Sequence, residues 1–197
     1  MVNLKVELEI LTRVRALVLR LSIHLEEELV QAIVKYGDPV LGRPADEVSK
    51  FDESLAALVA EMFDVMYAAG GVGLAAPQIG ISMRIFVMDA SAGKEAEKRV
   101  TLVNPTIELA DGDQDGAEGC LSVPGFSFDI RRPDHVIVRG QDASGSPVSI
   151  DVTGLEARCV SHEVDHLDGR LLLAHISPLK RDITVRKIKK RIRSGDW

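Results

Sequence analysis

The chain reads as an α+β protein in which mixed or antiparallel strands pack around a central HExxH helix, with further helices towards the N- and C-terminal ends. Three observations predict this. Residues 52–69 form an amphipathic stretch, four strand-like segments fall between 83 and 153, and residues 155–168 carry two histidines at helical spacing.

Taken in order, residues 4–30 alternate apolar and charged positions densely enough for a helix, with Glu26, Glu27 and Glu28 near its end. Residues 52–69 place Leu55, Val59, Met62, Phe63 and Met66 on one face and stop at Gly70 and Gly71. Strands are predicted at 83–89, 99–109, 134–140 and 147–153, the last two joined by a turn around 142–147. Helix 155–168 follows, and a basic helix ends the chain, with Val185, Ile188 and Ile192 as its apolar stripe. These elements divide into an N-terminal extension at 1–30, a body at 31–176 and the C-terminal helix at 177–197.

Composition narrows the class. At 197 residues with 46% hydrophobic content, the chain can bury a core without disulfide staples. No uncharged span approaches the roughly 20 residues that cross a bilayer. Lys5, Glu7, Glu9, Arg13, Arg15 and Arg20 interrupt the N-terminus, so it offers neither a signal-peptide core nor an acid-poor transit peptide. A cytoplasmic setting is expected, with both cysteines reduced. Charge is uneven: residues 177–197 hold eight Lys or Arg and two Asp, a net of +6, so the remainder carries −12 towards the total of −6.

The run His162-Glu163-Val164-Asp165-His166 carries the chemistry. Two imidazoles four residues apart stack on one helix face and can bind one metal ion, and the glutamate between them sits where a base for a metal-bound water is needed. Metzincins place a third histidine six residues further on; Gly169 fits their glycine, but the ligand position is Leu172. Thermolysin-like sites use a downstream glutamate, and 167–197 contains none. The third ligand is therefore upstream, or is Asp168, Asp182, Asp196 or His175.

Two cysteines can supply it. Cys159 lies on the same helix as the histidines, and three ligands in a row along one helix wrap a tetrahedral ion poorly. Cys120, between glycine-rich and proline-containing segments, is favoured because a loop or strand end can bring its thiolate across to the helix. Upstream, Gly71 and Gly73 let the backbone pass close to a ligand. A dinucleotide fingerprint is excluded there, because the glycines follow a helix and Pro77 blocks the helix that should open.

The runs GVGLAAPQIG at 71–80, EGCLS at 118–122 and HEVDHLDG at 162–169 resemble the three signature motifs of bacterial peptide deformylases, in that family's order. IVKYGDPVLGRPADEV at 33–48 and Ser177-Pro178-Leu179-Lys180-Arg181 resemble other parts of the family, so that roughly 165 residues are covered. The extension at 1–30 has no counterpart in it.

The resemblance implies a hydrolase that removes the formyl group from the amino-terminal methionine of nascent peptides and releases formate. It implies a metal held by Cys120, His162 and His166 with water as fourth ligand, Glu163 as general base, and Gln78 with the Leu121 N–H at the oxyanion. Ferrous iron is implied, with zinc, nickel or cobalt compatible with the same donors. Val72, Leu155 and Cys159 would wall a methionine slot, with Gly71, Gly73 and Gly119 offering main-chain contacts. Asp165 and Arg132 would pair behind the ligands. Ser161, Ser127 and Arg158 depart from the common pattern near the pocket.

The partners that follow are N-formylmethionyl nascent chains and, through the basic C-terminal helix, the ribosome; neither membrane nor DNA is expected. Two alternatives stand beside this reading. One is a metal-dependent amidohydrolase acting on another small amide. The other is a non-catalytic ribosome-associated module, against which the retained Glu163 argues.

Overall fold

The computed structural model describes residues 33–197 and, upstream, the helical positions Arg15, Val18, Leu19, Leu21 and Ser22. Most of the expected helix at 4–30 lies outside the described residues. Helix α1, Glu53–Ala68, starts where the Asp52 carboxylate accepts from the Ser54 and Leu55 N–H groups. Its apolar face, including the five residues expected from spacing together with Val65, packs into one core layer.

A five-stranded sheet runs β1-β2-β3-β6-β7, every neighbouring pair antiparallel. Its strands are β1 (Gly73–Ala75), β2 (Ile85–Met88), β3 (Val100–Asp111), β6 (His135–Gln141) and β7 (Pro147–Thr153). A separate ribbon pairs β4 (Gln114–Gly119) with β5 (Ser127–Arg132). Strand β3 changes register beside Pro105, which has no N–H for the ladder; Asn104 sits there at φ 51° and its amide bonds Val48 and Gln141 instead. The β6–β7 hairpin closes on Asp142, whose Oδ1 accepts from the Ser144 and Ser146 N–H groups.

Helix α2, Gly154–Leu167, leaves β7 directly and lies against β1, β2, β6 and β7 over a second apolar layer. Helix α3, Pro178–Ser194, covers a third cluster built from Val123, Ile130, Leu172, Leu173, Ile176 and Ile188. The fold is thus α+β with antiparallel sheets.

Three expectations need correction. The backbone at Gly71 and Gly73, read from the sequence as a loop passing close to a ligand, is loop only at Gly71: Gly73–Ala75 is an edge strand, and Pro77 falls in a short 3-10 turn at Ala76–Ile79, where its missing N–H costs nothing. The β4–β5 ribbon has no counterpart among the expected strands, because Gln114–Gly119 contains no large apolar residue to alternate. On α3, Ile188 is buried but Ile192 is half exposed, since the docked face is centred on Thr184 and Ile188.

Candidate active site

Helix α2 buries more chemistry than any apolar rule would allow: Arg158, Ser161, His162, Glu163, Asp165 and His166 are all buried. His162 and His166 stand one turn apart with ring centroids separated by 5.0 Å. Cys120 arrives from the end of β4 and places Sγ 3.2 Å from His166 Nε2. One donor atom from each of Cys120, His162 and His166 lies within 4.8 Å of the others. One thiol and two imidazoles converging in this way fit a divalent ion with a position left for a further ligand.

The other candidates lie elsewhere. The Cys159 thiol points to the Val72 carbonyl, 3.6 Å away, and burial pushes its pKa well up. Asp168 pairs with Arg84, His175 bonds Asp165, and Asp182 and Asp196 are exposed.

What fixes the imidazoles is a buried ionic hub that spacing alone does not reveal. Glu118, one residue from the end of β4, has Oε1 at 2.7 Å from His162 Nδ1, which leaves Nε2 for the site. Arg132 donates to both oxygens of Glu118, at 3.1 and 2.7 Å, and Arg158 donates to Oε2 at 3.1 Å. Burial alone would raise the Glu118 pKa, but the hydrogen bonds from His162 and Arg132 hold it well below the carboxylate range. The expected Arg132–Asp165 pair is present at 2.6 Å, and Asp165 also meets His175 at 2.6 Å.

Glu163 is treated differently by its surroundings. Among the described residues no hydrogen-bond partner reaches its Oε2, and burial pushes the carboxyl up to about 7. His166 Nδ1 likewise has no partner among the described residues, and burial pushes this imidazole well below its usual value. Gln78 anchors Oε1 on the Ala75 N–H at 2.8 Å, which turns its Nε2 towards Cys120 Sγ at 3.8 Å. The amide is thereby set as a donor facing the histidine–cysteine cluster.

A cleft of about 650 Å³ opens beside this cluster. Val72, Leu155 and Cys159 line it, as do Gly71, Gly73, Gly119 and Leu121. A Cβ on Gly73 would lie 2.5 Å from both Cys159 Sγ and Glu163 Oε1, so only glycine lets β1 approach the glutamate this closely. Arg158 also lines the cleft, its guanidinium committed to Glu118 and to the Gln114, Gly116 and Ile130 carbonyls. Ser161 bonds the Ala157 carbonyl within the helix, and Ser127 is exposed on β5. Sequence reasoning missed Ile33, Lys35, Pro124 and Phe126 as cleft walls, since nothing in their spacing brings them to the histidines.

Known proteins resemble this chain over most of its length. The family model described as polypeptide deformylase matches residues 30–182. A peptide deformylase of Acidobacterium capsulatum is 46% identical over 169 residues, covering 86% of this chain and 99% of the relative. The crystal structure of a peptide deformylase from Legionella pneumophila superposes with a TM-score of 0.77 at 44% identity, over 83% of this chain and 95% of that one. A peptide deformylase from Synechococcus elongatus, solved in complex with actinonin, gives a TM-score of 0.75 at 38% identity, over 80% and 86% of the two chains. With its motifs in one cleft and its length matched by such relatives, the chain belongs to the polypeptide deformylase family, metal-dependent hydrolases that remove the N-formyl group from nascent peptides.

Proposed function

We propose that removal of the formyl group from amino-terminal methionine is carried out here by Glu163, Gln78 and Leu121 beside an ion held by Cys120, His162 and His166. The observation that carries this reading is the unpartnered Glu163 Oε2 next to three converging donor atoms. A bound divalent ion would supply Lewis-acid chemistry, lowering the pKa of water and polarising the formyl oxygen. Glu163 takes the proton of the attacking water and returns it to the departing amine. The Gln78 Nε2–H and the Leu121 N–H donate to the oxygen that gains charge. Ferrous iron is the proposed occupant, and zinc, nickel and cobalt suit the same soft and imidazole donors.

Methionine fills the slot between Val72, Leu155 and Cys159. Among the described residues strand β1 is an edge of the main sheet and β4 pairs only with β5, so both offer backbone to the cleft near Gly71, Gly73 and Gly119. A peptide laid between them binds largely through its main chain, which suits nascent chains of every sequence.

Residues 31–176 act as the catalytic body around α2 as its central helix, with 1–30 as an added segment and 177–197 as a basic helix. That helix exposes Lys187, Lys189, Lys190 and Arg193, charges that suit contact with ribosomal RNA. No described helix is long and apolar enough to cross a membrane, and a cytoplasmic location follows from the substrate.

Formate release from formyl-Met-Ala-Ser tests the reading, with protein prepared without oxygen and loaded with nickel or ferrous iron. The wild type is expected to turn over, and actinonin to suppress it. Glu163→Ala is expected to retain metal and lose about 10²- to 10⁴-fold in rate. Undiminished release by that variant removes Glu163 from its role.

A further inference from the structure

The end of α3 is tied to the substrate cleft. Gly195, at φ +78°, caps the helix in the left-handed conformation, and the Asp196 N–H donates to the Arg191 carbonyl at 2.9 Å, so the chain turns back onto the body. This turn lays the Trp197 indole against Phe126, with centroids 6.4 Å apart, and its Nε1–H donates to the Tyr36 carbonyl at 3.1 Å. The last turn of the helix reaches the same ring: Arg191 holds its guanidinium 5.0 Å from the Phe126 centroid and donates to the Pro124 carbonyl at 3.1 Å.

Both contacts fall on the walls of the cleft. Pro124, Gly125 and Phe126 form one lip, and Ile33 and Lys35, next to Tyr36, form another. Gly125 has φ +76°, and a Cβ there would lie 3.1 Å from Arg191 Nη1, so lip and guanidinium are closely fitted. The Tyr36 N–H in turn donates to the Ser122 carbonyl at 2.8 Å, which ties the segment bearing one lip to the segment bearing the other.

We propose that Arg191 and Trp197 are positioning residues for substrate. They hold the Pro124–Phe126 lip against the Ile33–Tyr36 wall, so that peptide residues beyond methionine meet a preformed surface. The proposal rests on the deformylase reading of the cleft. Neither side chain touches the reacting atoms, so both act on peptide binding and leave the chemical step alone.

The test is steady-state formate release from formyl-Met-Ala and formyl-Met-Ala-Ser by metal-loaded wild type, Arg191→Ala, Trp197→Ala and Trp197→Phe. The alanine variants are expected to raise KM for the longer peptide about three- to tenfold, with kcat within about twofold. Trp197→Phe, which keeps a ring on Phe126, is expected to fall between. A KM within about twofold of wild type in variants that keep their metal and melting temperature overturns the proposal, as does a kcat that falls with metal content.

A second readout does not require turnover. Trp197 is the only tryptophan in the chain, so its emission reports on the clamp alone. Phe126→Leu, which removes the ring that the indole packs on, is expected to shift this emission to the red and to open the indole to acrylamide quenching; emission and quenching unchanged by that substitution overturn the clamp. A wild type that releases no formate defeats the deformylase reading, and the quenching comparison, which needs no peptide, still decides the clamp.

Discussion

His162 and His135 make the same contact in opposite surroundings. His162 Nδ1 lies 2.7 Å from Glu118 with both side chains nearly sealed from solvent, at 10% and 5% exposure. His135 sets both ring nitrogens 2.8 Å from carboxylates, Asp111 and Asp151, but these are 57% and 68% exposed. A carboxylate under α2 cannot rely on water, so Arg132 and Arg158 accompany it. The surface trio has water for every charge and need not be held in one geometry. Only the buried contact fixes which imidazole nitrogen is left for a ligand.

The comparison breaks most completely where that nitrogen meets its neighbours. Cys120→Ser is expected to abolish metal retention and formate release, because a hydroxyl does not replace a thiolate donor. Cys159→Ser is expected to keep about one metal per chain, since that thiol faces the Val72 carbonyl. Metal analysis of the two purified variants distinguishes them, and the reverse result would move the third ligand onto α2.

Glu118→Ala should follow. It leaves two buried guanidinium groups without their shared carboxylate, for a loss of about 3–5 kcal/mol in urea unfolding and a fall in metal affinity of about 10- to 100-fold. A loss comparable to that of a surface pair would mean that burial does not separate the two histidines. Gln78→Ala, which removes a fixed amide donor, is expected to lower kcat by about 10²- to 10³-fold, or about 3 kcal/mol, with metal content unchanged. Equal losses of kcat and metal would make Gln78 a support for Cys120.

How much of this was legible beforehand follows from where each signal lives. The α1 face, four of the strands and the histidine helix are written in local periodicity, and they emerge within two residues of the expected bounds. Ribbon β4–β5 is not, because its polar strand is held by pairing with β5 and by Arg132 reaching Glu118 from 14 residues away. The histidines and Cys120 were legible as motifs. The pairing of Arg132 with Asp165 was expected, whereas the convergence of two guanidinium groups and an imidazole on Glu118 belongs to tertiary packing. Trp197 carried no sequence signal, and its place against Phe126 depends on the turn at Gly195.

His135, whose partners are both exposed, contributes least, and its contribution depends on pH. A neutral imidazole has one N–H, so it can donate to only one of two flanking carboxylates; the imidazolium donates to both. The hydrogen bond to Asp151 leads in raising the His135 pKa above 6.5, with Asp111 assisting. A raised folded pKa means that the stabilisation is complete below the unfolded pKa and is lost as pH climbs through the folded one. The wild type should therefore exceed His135→Ala in urea midpoint near pH 5.5, and the gap should close by about pH 8.5. Added salt should also close it at the lower pH, since exposed charges are screened over about 8–10 Å. A gap that survives both high pH and salt would place this surface trio in the same energetic class as the hub under α2, and burial would no longer explain why only one of the two histidines is positioned for chemistry.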